Sequence, residues 1–169
     1  MSENDSKTTL HQYLTFKLDQ EMFAIDVSQV REILDVTTIT KVPRAPAFMR
    51  GVINVRGSVV PVVDLRMKFE MDKTEQTVDT RIVVMEIDLD GELTTIGTLA
   101  DAVHNVMDIE SGGIEPPPKV GAKWNTEFIK GIGKQNDDFI IILNVDRIFS
   151  AEELAMVQQA DGVRDQEAA

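Results

Sequence analysis

The side chains able to do chemistry are few. His104 stands near Asp101 and Asp108, a grouping that could supply a general base and its orienting carboxylate. No nucleophile accompanies it, because the chain has no cysteine and no Gly-x-Ser-x-Gly turn to present a serine. Asp88, Asp90 and Glu92 alternate across a turn and resemble a metal loop only loosely, since their spacing misses the twelve-residue calcium pattern. Gly131-Ile132-Gly133 lacks the following helix that a phosphate cradle needs. Two histidines, His11 and His104, are too few for a histidine metal centre. The remaining candidate is an arginine. Asn54-Val55-Arg56-Gly57 is a turn signal between two apolar runs, with Gly57 supplying a positive φ and Asn54 bonding the local backbone. Arg56 then stands at a turn tip, where it is either solvated or anchors a partner's carboxylates and carbonyls through its planar fork. A binding module follows as the first reading. The second is a ligand-binding or hydrolytic β-barrel built on His104.

The elements that must position these residues are mostly strands. Tyr13–Leu18 and Met22–Ile25 alternate across a short polar link and read as a hairpin. Residues 27–34 place Val27, Val30 and Ile33 or Leu34 three or four apart, which predicts a short helix. Val36–Val42 reads as a strand broken by Pro43 and Pro46, and Ser58–Leu65 as a strand whose Pro61 favours an edge or a strand's start. Residues 66–79 read as a charged loop with a short helix at most. Arg81–Ile87 and Thr94–Leu99 flank the turn Asp90-Gly91, Val103–Ile109 is a further strand, and 128–133 pairs with 139–143. Ser150 and Glu153 fit a capping box that opens a C-terminal helix. Short strands at regular spacing predict barrels or a sandwich, divided into two β lobes near 66–79.

Charge narrows the function further. The 169 residues carry a net charge of −12, which repels phosphate backbones and anionic lipid and argues against nucleic-acid or membrane binding. No stretch is apolar for long enough to span a bilayer, and the polar start predicts a cytoplasmic protein. Lys41, Arg44, Arg50, Arg56, Arg66 and Lys68 crowd a stretch whose one acid is Asp64. These bases either balance acids on other strands or form a patch for an acidic partner.

Several runs go beyond such physics: Met22-Phe23-Ala24-Ile25-Asp26-Val27, Val30-Arg31-Glu32-Ile33, Pro46 through Gly57, and Val60-Pro61-Val62-Val63-Asp64-Leu65. Gly51-Val52, Asn54, Arg56-Gly57, Pro61 and Asp64-Leu65 form the most specific part. Over about residues 11–157 the sequence resembles the CheW family of chemotaxis adaptors. The resemblance implies a mostly β fold: two small five-stranded SH3-like β-barrel lobes sharing a core, few short helices and a C-terminal helix. It implies a tail over 1–9, one domain over 10–157, and the end of the helix with an acidic tail over 158–169. It implies no enzymatic activity and no cofactor. The expected partners are the regulatory domain of the histidine kinase CheA and the cytoplasmic tip of methyl-accepting chemoreceptors, met at the inner face of the membrane. Val30, Glu32, Ile33 and Arg56 would contact the receptor in a groove between the lobes. Gly51 would touch the kinase or permit a strand turn, while Asn54, Gly57 and Pro61 would shape the backbone. The same adaptor fold also serves pilus-motility and other non-flagellar arrays, which stands as the alternative.

Overall fold

A computed structural model describes residues 10–116, 127–135 and 138–150. The amino-terminal strands are β1 (Leu10–Leu18), β2 (Glu21–Asp26), β3 (Val30–Asp35), β4 (Met49–Val55) and β5 (Ser58–Val63). A four-residue helix α1 (Leu65–Lys68) precedes β6 (Arg81–Leu89), β7 (Glu92–Ala100) and β8 (Ala102–Glu110). Then come β9 (Ile114–Glu115), β10 (Ile129–Gln135) and β11 (Asp138–Leu143). One sheet runs β8-β1-β2-β11-β10-β9 and the other β3-β6-β7-β5-β4. The expected mostly β, two-lobed architecture is present, with a sixth, two-residue strand on the first sheet.

Alternation and turn residues set the hairpins. Phe16 faces Phe23 and Leu14 faces Ile25 between β1 and β2. Asp90 and Gly91 join β6 to β7 with φ of 53° and 88°, and Arg56 and Gly57 join β4 to β5 with 52° and 87°. Two positive φ values give the turn whose twist matches paired strands.

Three expectations are corrected. Residues 27–34 are not a helix: a 3-10 turn at Val27–Gln29 leads into β3. Val30 and Ile33 are β-branched, and they pair with Met85 and Val83 of β6, so tertiary pairing overrides an ambiguous period. Val36–Val42 is not a strand; it touches the sheet only through a Thr40–Val52 bridge, while Val36 and Ile39 pack into the lobe's core. Pro61 is not on an edge strand or at a strand's start. β5 lies between β4 and β7, but its pairing to β7 is confined to Val62 and Val63, so the missing N–H of Pro61 interrupts no ladder there. The expected C-terminal helix beyond Ser150 lies outside the described residues.

The lobes meet in one shared core. Phe16, Leu18, Phe23 and Ile25 from the first sheet pack with Val83, Met85, Ile87 and Ile96 from the second and with Leu65 of α1, closed by Val145, Ile148 and Phe149. Each lobe also has its own interior: Ile53, Val60, Val62, Ile82, Val84 and Leu99 in one, and Tyr13, Ala24, Ile109, Ile140 and Ile142 in the other.

Candidate partner-binding groove

The β4–β5 turn is built as its residue types require. The Asn54 Oδ1 accepts from the Gly57 backbone N–H at 2.7 Å, fixing the turn so that Arg56 projects from its tip. Arg56 Nη1 reaches back to Glu32 Oε2 on β3 at 2.9 Å. The arginine side chain is 81% exposed and the glutamate 22%. The pair therefore links β3, one edge of the sheet, to the hairpin at its other edge.

Beside this pair lies a groove of about 550 Å³. Val55, Val60 and Val84 give it an apolar floor, and Arg31, Glu92 and Leu93 stand at its border. Val59 and Leu93 expose large apolar surface there, and Arg31 pairs with Glu86. An apolar floor rimmed by both signs of charge is the composition of a docking site for a protein segment.

The structure brings Glu32, Arg56 and Pro61 together at this groove, but not Val30 and Ile33. Val30 packs against the shared core, whereas Ile33 is exposed on β3 outside the groove lining. Gly51 is buried with φ of 143°, and a Cβ there would lie 2.2 Å from the Thr40 carbonyl oxygen. Its missing side chain is what lets the Thr40 backbone approach β4. Gly57 meets nothing that a Cβ would touch, and only its φ of 87° favours glycine.

The enzyme constellations do not assemble. Asp101 accepts from Arg66 Nη1 at 3.0 Å and from the Asp19 backbone N–H, while His104 and Asp108 stand exposed on β8. Asp88 caps its own turn through Gly91 N–H at 2.7 Å. Among the described residues no group of three His, Asp or Glu is placed to hold a metal ion.

The basic stretch is largely consumed within the fold. Arg50 bonds Asp64 at 3.2 Å, Arg56 bonds Glu32, and Arg66 bonds Asp101. The Lys68 ammonium lies 4.7 Å from the Phe48 ring centre and 5.7 Å from that of Phe149. Asp64, not foreseen as a hub, is fully buried. It accepts from Thr74 N–H at 2.9 Å, Thr74 Oγ1 at 2.7 Å and Arg66 N–H at 3.1 Å. Its place just before the helix residue Leu65 is a capping signal that could have revealed part of this role.

Residues 12–153 match the model of the CheW-like domain. The chain belongs to the CheW family. Similar relatives include the chemotaxis protein CheW of Klebsiella aerogenes, 29% identical with 93% of this chain and 92% of the relative covered. The chemotaxis protein CheW of Rhizobium meliloti is 31% identical, with 83% and 88% covered. The crystal structure of the scaffolding protein TtCheW from Thermoanaerobacter tengcongensis superposes with a TM-score of 0.75 at 34% identity, covering 86% of this chain and 91% of that one. As a CheW-family scaffold the chain is non-enzymatic and couples chemoreceptors to the kinase CheA in chemotaxis signalling.

Proposed function

We propose that the groove beside the Glu32–Arg56 pair is where this scaffold takes the helical tip of a chemoreceptor, at the cytoplasmic face of the membrane. The observation that carries this reading is the backbone of Arg56. A non-glycine residue in the left-handed region costs roughly 1–2 kcal/mol, and such turns favour asparagine, aspartate or glycine at this position. An arginine held there at φ of 52°, with its side chain mostly exposed, suits presentation to a partner better than folding. Receptor side chains would enter over the apolar floor, in the helix-in-groove manner, and receptor carboxylates or carbonyls would compete with Glu32 for the guanidinium. Val30 and Ile33 would act at the flank of β3, Val30 by holding that strand on the core. The regulatory domain of CheA would meet the lobe along β4, the strand shaped by Gly51. Among the described residues no helix is long and apolar enough to cross a membrane, so the receptor would supply the attachment. The test is calorimetry with a receptor cytoplasmic fragment and, separately, the CheA regulatory domain. Arg56→Ala is expected to weaken receptor binding at least tenfold and leave kinase binding within twofold. Unchanged receptor affinity would remove the groove from the receptor contact.

A further inference from the structure

A second concavity lies away from the groove, at the end of the first lobe where β2 and β11 both run out. It holds about 370 Å³ and is bordered chiefly by polar side chains: Tyr13, Asp26, Gln29, Lys130, Asn144 and Asp146. The topology explains the meeting. β2 and β11 run parallel with Ile141 beside Phe23 and Ile142 beside Ala24, and continuing that register brings Asp26 level with Asn144. Tyr13 faces Asp26 across β1 and β2.

Each carboxylate is aimed by bonds to one of its oxygens. Asp26 Oδ1 accepts from Ser28 N–H at 2.9 Å. Asp146 Oδ1 accepts from Asp88 N–H at 2.8 Å and Gln29 Nε2 at 3.0 Å. The second oxygen of each has no hydrogen-bond partner among the described residues, and the Asn144 side chain makes no capping bond. The Tyr13 residue is 1% exposed and its buried hydroxyl has no hydrogen-bond partner among the described residues. A buried polar group left unpaired costs about 1–3 kcal/mol, so this hydroxyl is a standing demand for a polar ligand. Burial first, and then the negative charge of Asp26, pushes the phenol above its ordinary 10.0. Against two carboxylates stands one ammonium, Lys130.

We propose that this cleft binds one guanidinium or primary ammonium group, held by the outer oxygens of Asp26 and Asp146, the Asn144 amide oxygen and the Tyr13 hydroxyl. Four directional acceptors around one small space match a fork of N–H donors. The pair of carboxylates disfavours an anion, and the described residues offer no third His, Asp or Glu for a metal ion.

Tyr13 is the only tyrosine in the chain, so a ¹³Cζ-tyrosine label gives one signal inside the cleft. Titration with methylguanidine or ethylamine is expected to shift that signal saturably, with a dissociation constant on the order of millimolar, about 4 kcal/mol of binding. Neutral methylurea is the control and should leave it in place. Asp26→Asn and Asp146→Asn keep the local acceptor geometry and are expected to bind at least tenfold more weakly. Lys130→Met, which removes the competing internal ammonium, should bind more tightly. The same shift on adding a receptor fragment without amine, lost in Asp26→Asn while the complex still forms, would identify the cation as that partner's arginine or lysine. A signal that moves with neither amine nor receptor, or that moves equally with methylurea, would overturn the proposal.

Discussion

At the residue scale, three side chains separate function from stability. Arg56 is exposed, and an exposed ion pair contributes at most about 1 kcal/mol. Arg56→Gly would lose that pair but relieve the left-handed backbone, so its thermal midpoint is expected to equal or exceed the parent's while receptor affinity falls; a lower midpoint would make the arginine structural. Asp64 behaves oppositely. It is fully buried and ties Arg50, Thr74 and the start of α1 together. Removing one partner of a buried pair leaves the other uncompensated, so Asp64→Ala should cost about 3–5 kcal/mol, read as a drop in urea midpoint with unchanged slope. Tyr13 adds a pH signature. Its phenol is held above 10.0 in the folded protein, so the unfolded chain loses that proton first as pH rises. Its contribution to stability is complete below pH 10 and is lost above it. Tyr13→Phe should flatten the alkaline decline and, because the hydroxyl has no hydrogen-bond partner among the described residues, leave neutral-pH stability equal or improved.

At the element scale, the β4–β5 hairpin depends on a close approach that no side chain can share. Thr40 and Val52 exchange backbone hydrogen bonds at 2.9 and 2.8 Å, next to Gly51, where a Cβ would collide with the Thr40 carbonyl. Gly51→Ala would have to part that bridge and hold alanine at a φ of 143°, which together should cost about 3 kcal/mol. Faster amide exchange at Val52 would mark the lost bridge; native stability and exchange would show that the segment yields easily. This hairpin was legible in the sequence because Asn54 and Gly57 state their turn, as Asp90-Gly91 states the next. β3 was not, because Val27, Val30 and Leu34 fall at helical spacing while Val30 and Leu34, four apart, fit one face of a strand equally well, and only the pairing with β6 decides between them. The site divides likewise. Spacing placed Arg56 at a turn tip, while family resemblance, not spacing, singled out Glu32; their pairing is a contact between opposite sheet edges. Asp64 and the Tyr13 cleft stayed hidden because their partners lie in a charged loop and on distant strands.

At the scale of the molecule, the way the chain is threaded makes the lobes interdependent. The second sheet is drawn entirely from residues 30–100, while the first joins strands from both sides of that stretch. A contiguous lobe suggests an independent folding unit, but its packing argues against one. Val63, Leu65, Val83, Met85, Ile87 and Ile96 are almost completely buried, and all belong to the shared core. Exposing six such side chains would forfeit on the order of 10 kcal/mol, comparable with the whole stability of a typical domain, about 5–15 kcal/mol. The lobe's own interior of Ile53, Val60, Val62, Ile82, Val84 and Leu99 is too small to offset that loss. A fragment of residues 30–100 is therefore expected to give a collapsed amide spectrum. In the intact chain, urea transitions followed at Tyr13 in the first lobe's own interior and at the Met85 methyl group in the shared core should coincide, as two-state unfolding requires. A dispersed spectrum from the fragment, or two separated midpoints, would mean that the lobes are autonomous. Coincidence would mean that the Glu32–Arg56 groove and the Tyr13 cleft stand or fall on one core, so a variant at either site must first be shown to preserve that core before its binding is compared.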